Sequence, residues 1–475
     1  MPNSRFSGAL IALLAGPAAY GSWADAGTMN SSHFLSSALV LRDGRVLMEG
    51  GAIRSAPNYS NVAEVYDVSS RAWTRVADLP HPLGWHASVL LPNGTVLVIG
   101  GSDPTGCLNS VLRYNPWLDA WQPAGPMLAP MGPTATVLND GRVFVADRWC
   151  GTAHAEVYDP LADNWADAGE MSTVRFAHTA TLLPNGDVLL VGGQSPTTWL
   201  ASAERYNPST NGWSSAGSMS TPRMFHTATL LPNGKVLVVG GRWNGGIDLA
   251  SAEVYDPASN TWSLVSPMPF PRLEHSANLL PSGQVLVAGG ENAGATFYPT
   301  NSQLYDAATD TWTDAGDMLT SRALHSAVLL WTGQVLVAGG LDLTSLPTSS
   351  GLYGDPLPDA GPPDGGTWNA GGPDAGTPDA GAPDAGSQVG DAGSTPSDAG
   401  GTDGGQPDAG PSSQADAGWS DAGPADSGLD AGTPPPGWAG EPVFGCGCQG
   451  AGESPLWIAL PLLVVRRIKA QRDDA

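Results

Sequence analysis

An all-β fold of repeated units is predicted by three observations: a block that recurs every 46–50 residues, a fixed Tyr–Trp spacing inside it, and much glycine and tryptophan with few charges. The chain has 62 Gly and 17 Trp in 475 residues, and only 14% of its residues are charged. Such a composition suits many short strands joined by tight turns. Glycine has no period of three, which excludes a collagen. The 45 acids outweigh 20 bases, for a net charge of −25, and lysine occurs only at Lys235 and Lys469. A nucleic-acid binder is therefore excluded, because neutralising phosphates needs a dense basic footprint.

The block is clearest from His226 through Leu230-Leu231-Pro232-Asn233-Gly234 to Gly240-Gly241, then Ala252-Glu253-Val254-Tyr255-Asp256-Pro257, Trp262 and Met268. Gly-Gly pairs begin at Gly50, Gly100, Gly192, Gly240, Gly289 and Gly339, with Ala146-Asp147 as the degenerate equivalent. His precedes the pair by 14 residues at His86, His178, His226, His275 and His325, and Ser36 and Gly132 hold that place in the other two copies. Tyr66, Tyr114, Tyr158, Tyr206, Tyr255 and Tyr305 are each followed seven residues later by a Trp. Chance does not produce six identical spacings.

These residues resemble the kelch repeat, whose unit has Gly-Gly after its second strand, a Tyr in the third and a Trp in the fourth. The resemblance spans residues 22–354 and implies a β-propeller with one four-stranded blade per repeat. Local signals agree. Leu-Pro-Asn-Gly at 91–94, 183–186 and 231–234 is a hairpin turn between β-rich runs, and Asp-Pro-x-x-(Asn/Asp)-x-Trp marks a second turn. Seven Gly-Gly positions meet only six Tyr–Trp pairs, because Tyr353 lacks a following Trp. The segment Trp23-Ala-Asp-Ala-Gly-Thr-Met29 matches Trp165–Met171 and Trp312–Met318, so it is expected to supply the last blade's outer strand. That closure gives seven blades and removes free sheet edges.

Most repeated polar residues read as structural. Glu64, Glu156, Glu204 and Glu253, with Arg175, Arg223, Arg272 and Arg322, recur at homologous positions and suit pairing within or between blades. The functional alternative places the four arginines around one mouth of the channel, where they would bind an anionic ligand. Better ligand-binding candidates lie outside the ladders. Trp149, Trp199 and Trp243 follow the Gly-Gly position in three blades, and Trp85, Phe176 and Phe225 flank the blade histidines on the same face. Aromatics on loops of a rigid scaffold suit stacking on a sugar or a protein hot spot.

Catalysis is less well supported. Galactose oxidase shares the propeller, but its copper needs two Tyr, two His and a Cys cross-linked to one Tyr. This chain has no Tyr-His doublet, no Gly-x-Ser-x-Gly, no His-Glu-x-x-His and no Cys-x-x-Cys. No cofactor or metal site is predicted; a carbohydrate-active enzyme, either a copper oxidase or a sugar epimerase or lyase, is the alternative reading. Cys107 and Cys150 fall in equivalent loops of consecutive blades, and in a secreted protein they are expected to form a disulfide between blades 2 and 3.

The ends carry the targeting signals. Residues 1–21 resemble a secretory signal peptide, with Arg5 before the apolar Ala9–Leu14. Cleavage is expected after Gly21 rather than Ala24, which would remove Trp23. Residues 355–440 repeat Pro-Asp-Ala-Gly units with 14 Asp and no base, which predicts a disordered acidic linker. Residues 441–475 hold Cys446-Gly447-Cys448, an apolar run from Pro455 to Val465, and Arg466, Arg467, Lys469 and Arg472. This tail resembles the myxobacterial C-terminal sorting signal. It implies processing or lipidation at Cys446 or Cys448, engagement of sorting machinery and membrane, and display at the cell surface, on the outer membrane or after release. Only about 12 uncharged residues precede Arg466, short of a stable span. The expected whole is an exported, surface-displayed propeller that binds an extracellular glycan or protein.

Overall fold

Short apolar runs closed by turn glycines make the second strand of each unit, and these runs are buried on both faces: Val46–Glu49, Val96–Ile99, Val188–Val191 and Val236–Val239. The computed structural model describes residues 21–53, 59–148, 150–292, 298–342 and 345–357. The leader, the linker beyond Leu357, the tail with Cys446 and Cys448, and Trp149 lie outside the described residues.

Seven four-stranded antiparallel sheets follow one another along the chain. Blade 1 comprises Ser37–Val40, Val46–Glu49, Ala63–Asp67 and Ala72–Arg75, and blades 2 to 6 repeat that order. Blade 7 takes Ser326–Leu329, Val335–Ala338 and Ser349–Tyr353 from the end of the repeats and Trp23–Thr28 from the beginning. Trp23 pairs with Tyr353 in the register in which Tyr66 pairs with Trp73. The ring is therefore closed by the segment that the repeat arithmetic required, and it is a seven-bladed propeller.

The ladders explain how each blade holds its shape. Every Tyr–Trp pair is in contact, with ring centroids 4.7–5.3 Å apart. Each Trp indole also reaches the preceding blade. Trp121 donates to Ala77 O, Trp165 to Gly125 O, Trp213 to Ala168 O and Trp262 to Ala216 O, at 2.7–2.8 Å. The tyrosine hydroxyls fasten the turn between strands three and four. They donate to the left-handed residue there: Tyr114 to Asp119, Tyr158 to Asp163, Tyr206 to Asn211, Tyr255 to Asn260 and Tyr305 to Asp310. Short Asn and Asp side chains tolerate that backbone better than most residues do. The apolar cores lie between blades; one cluster joins Val40, Met48 and Tyr66 of blade 1 to Leu330 and Leu336 of blade 7.

Blade 3 corrects the reading of the degenerate repeat. Pro133 pairs with Asp147 in its hairpin, as one step inside it Thr134 pairs with Ala146. Its turn, Leu138 to Arg142, matches Leu183 to Asp187 of blade 4, where Thr179 pairs with Val191. Asp147-Arg148, not Ala146-Asp147, therefore occupies the Gly-Gly position, and Pro133, not Gly132, stands in the histidine's place. The packing agrees: Gly100 lies against Pro133, whereas Gly192 lies against His226.

The inner strands start on one face of the ring, the mouth face, which also carries the loops joining strands two and three. The opposite face carries the hairpin turns, and there the described chain ends. Gln334 Nε2 donates to Gly354 O, and Leu357 N donates to Thr332 O.

Candidate functional site

A cavity of about 640 Å³ runs along the propeller axis. Its wall is formed by the inner strands, which present Ser37, Ser88, Thr134, Thr136, Thr227 and Ser276, and its mouth by Leu35, Trp85, Arg148, Phe225, Glu274 and Leu324.

The mouth is a constrained rim. The residue entering the inner strand has positive φ in six blades: Leu35, Trp85, Ala177, Phe225, Glu274 and Leu324, at 52–58°. Non-glycine residues rarely adopt this conformation, so something must hold it. A chain of backbone hydrogen bonds does. Leu35 N donates to Leu324 O, Leu324 N to Glu274 O, Glu274 N to Phe225 O, Phe225 N to Ala177 O, Ala177 N to Arg148 O and Arg148 N to Gly132 O, each at 3.1–3.2 Å. Arg148 thus enters the rim in blade 3.

Directly below, the histidines form an interblade belt. Thr179 bonds His226 Nε2 at 3.0 Å, Thr227 bonds His275 Nε2 at 2.9 Å and Ser276 bonds His325 Nε2 at 2.9 Å, each hydroxyl coming from the preceding blade. His178 Nδ1 donates to Arg175 O at 2.7 Å, which leaves Nε2 as the acceptor. Burial pushes His178 and His325 down to about 3, and His226 and His275 well below the ordinary imidazole value. The belt is therefore neutral.

The four arginines do not ring the mouth. Arg175, Arg223, Arg272 and Arg322 are at most 2% exposed. Each Nη1 donates to the first Gly carbonyl of its own blade (Gly192, Gly240, Gly289, Gly339) at 2.9–3.0 Å and to a third-strand-side carbonyl at 2.7–3.1 Å. Arg175 also pairs with Glu204 at 2.7 Å and Arg223 with Glu253 at 3.0 Å. Their guanidiniums face into the blades, away from any ligand at the mouth. In blade 1 His33 replaces the arginine and reaches Gly50 O. The glutamates fix the entry loops, as Glu204 accepts from Ser172 N and Glu253 from Ser220 N.

The aromatic candidates are divided. Trp199 is half-buried and packs on Ala177, Met224, Phe225 and Leu273, which joins it to the rim. Trp243 stands in the next blade on a small hairpin, Arg242–Trp243 paired with Ile247–Asp248, and is 37% exposed. Phe176 is half-buried and bridges to Gln194. A disulfide joins Cys107, in a small hairpin of blade 2, to Cys150 in the blade 3 loop, with Cα atoms 6.1 Å apart. Asp147 organises that loop, accepting from Cys150 N, Thr152 N and Thr152 Oγ1 at 2.7–2.9 Å.

Sequence reasoning missed Arg148 and Glu274. Arg148 was hidden by the misplaced repeat, although counting six residues from the turn Gly141, as Gly192 follows Gly186, finds its neighbour Asp147. Glu274 is the one acid in the rim position. Burial, and then Glu291, push its carboxyl up to about 8, against the pull of Arg242.

A family model described as the KLHDC2/KLHL20/DRC7 Kelch-repeats domain matches residues 154–344, and a Kelch motif model matches residues 86–128. The blades are kelch repeats. Similar proteins include beta-scruin of Limulus polyphemus, 32% identical over 144 residues, which are 28% of this chain and 16% of that protein. Kelch repeat and BTB domain-containing protein 12 of Danio rerio is 27% identical over 173 residues, 31% of this chain and 27% of that protein. The kelch chain thus spans a minor part of both relatives' lengths. Among solved structures, a fungal alcohol oxidase of the AA5 family in complex with copper aligns with a TM-score of 0.59 at 18% identity, covering 70% of this chain and 76% of that one. At that identity the likeness shows the fold alone. The described residues of this kelch propeller do not fit copper. Among the described residues no three His, Cys, Asp or Glu side chains form a metal-holding group, and Nε2 of His226, His275 and His325 is engaged by hydroxyls.

Proposed function

We propose that this kelch propeller is an exported binding module, displayed at the cell surface, that takes an extracellular glycan or protein at its mouth face. The observation that carries the reading is the aromatic and apolar rim over an axial cavity, with Trp199 packed on Phe225 and Trp243 exposed on the mouth-face loop of the next blade. A rim held across six blades by its own chain of backbone hydrogen bonds is preorganised, so little ordering is needed on binding. Kelch repeats serve as protein-binding modules, and aromatic faces also suit pyranose rings. The arginine quartet has no part in this site.

The test is binding by the full chain to arrays of glycans and extracellular proteins, followed by Trp199→Ala and Trp243→Ala. Each substitution is expected to weaken the ligand found by about tenfold or more, the scale of an interface hot spot. Unchanged binding would remove the mouth face from consideration. For display, protease treatment of intact cells should degrade the protein, and full protection would contradict it.

A further inference from the structure

We infer that the mouth selects an acidic saccharide, and that Arg148 is the group that recognises its carboxylate. The inference rests on the mouth-face reading above and adds the ligand's charge and chemical class.

Three observations converge on Arg148. The first is its place in the repeat. In the other six blades its position is the second Gly of the pair, at φ +90–98°. A Cβ there would lie 2.6–2.7 Å from the backbone carbonyl of Phe34, Gly84, Phe176, Met224, Leu273 or Ala323. No side chain fits those six sites without moving backbone. Blade 3 alone replaces the pair, with Asp147 buried as the loop's anchor and Arg148 bonded into the rim.

The second is its electrostatic freedom. Arg148 lines the cavity, yet among the described residues its guanidinium makes no hydrogen bond or ion pair, unlike the four blade arginines, whose guanidiniums are engaged. Its positive charge is felt at Glu274, His178 and His226. A guanidinium recessed against low-dielectric walls pairs with a carboxylate more strongly than an exposed one does.

The third is the chemistry around it. Trp85 and Phe225 bring aromatic rings to the same mouth, and Thr134, Thr136 and Asn278 line the wall below, where the Ser88 and Ser276 hydroxyls are already engaged by Glu49 and His325. One cation, aromatic rings and a polar wall match a uronate: a carboxylate for Arg148, a ring for the aromatics and hydroxyls for the wall. An acidic peptide would offer a carboxylate but would leave the wall hydroxyls poorly used.

The test titrates the full chain with trigalacturonic acid and with its methyl ester, which removes the charge and keeps the sugar. The acid is expected to bind about tenfold or more tightly than the ester, and rising salt should weaken the acid alone. Arg148→Gln should bring the acid down to the ester's affinity, while Arg148→Lys should keep part of the difference; an unchanged unfolding midpoint establishes that both variants fold. Equal binding of acid and ester, or no effect of Arg148→Gln, overturns the inference. So does binding of an acidic peptide with no binding of the uronate. In each of these cases a loss caused by Trp199→Ala or Trp243→Ala still supports the mouth reading, so the two failures are distinguishable.

Discussion

Ser88 donates its hydroxyl hydrogen to the buried carboxylate of Glu49 across the seam between blades 1 and 2. His86 Nε2 lies 3.6 Å from the same oxygen. Both partners depart from the repeat. The places equivalent to Glu49 hold Ile99, Ala146, Val191, Val239, Ala288 and Ala338, and those equivalent to Ser88 hold only alanine. One apolar seam has been exchanged for a polar one by two matched changes.

Ser88→Ala should therefore destabilise the propeller by about 1–3 kcal/mol, because it leaves a buried carboxylate short of a donor. The double variant Glu49→Val with Ser88→Ala should be at least as stable as the parent, since well-packed apolar residues often equal or exceed a buried polar pair. Denaturant unfolding of both single variants and the double completes the cycle. A double variant weaker than the sum of the singles contradicts this account.

Ring closure should depend on Trp23, whose indole packs at a tilt against Tyr353 and donates to Ser302 Oγ at 3.1 Å. Trp23→Ala is expected to cost about 2–3 kcal/mol, less than a fully buried Trp because Trp23 is half-exposed. Mass spectrometry of the mature chain should find its first residue at or before Trp23. A mature terminus beyond Trp23 in a fully stable protein would show that closure does not need it.

Reduction of Cys107–Cys150, or Cys107→Ala with Cys150→Ala, should lower stability by about 2–4 kcal/mol for a bridge closing 43 residues. Peptide mapping without reductant should recover the linked pair. Two free thiols there would refute the assignment.

Acid should unsettle the histidine belt before it titrates most carboxylates. His178, His226, His275 and His325 have folded values lowered by burial, to about 3 for His178 and His325. Unfolded, they take up protons below about 6.5 while the folded ring does not. The unfolded state then binds more protons, so stability falls as pH drops from about 6.5 towards 3. Replacing His226 with Gln should flatten that slope in unfolding measured across pH, and an unaltered slope would place the acid sensitivity elsewhere.

Much of this fold was legible because it is written seven times. A Tyr seven residues before a Trp means one adjacent pair on neighbouring strands, and repetition made the spacing certain. The same repetition misleads at blade 3, where the Gly-Gly spacing falls on Ala146 while the turn glycine Gly141 keeps the true count. Spacing also says nothing of side-chain direction. Arg175 and its equivalents share the mouth's loops but bend inward to backbone carbonyls, a choice set by unsatisfied acceptors that sequence does not display. Glu49 was overlooked because a lone acid at the end of an apolar strand reads like the edge of a loop, and its partner stands 39 residues away.

The last described residues fix a polarity. Leu357 is seated under Thr332 and against Gly333, among the hairpin turns, while Trp199, Trp243 and Arg148 stand at the far end of the axis. The described chain thus leaves the ring on the face of the hairpin turns, and the cavity opens through the rim on the opposite face.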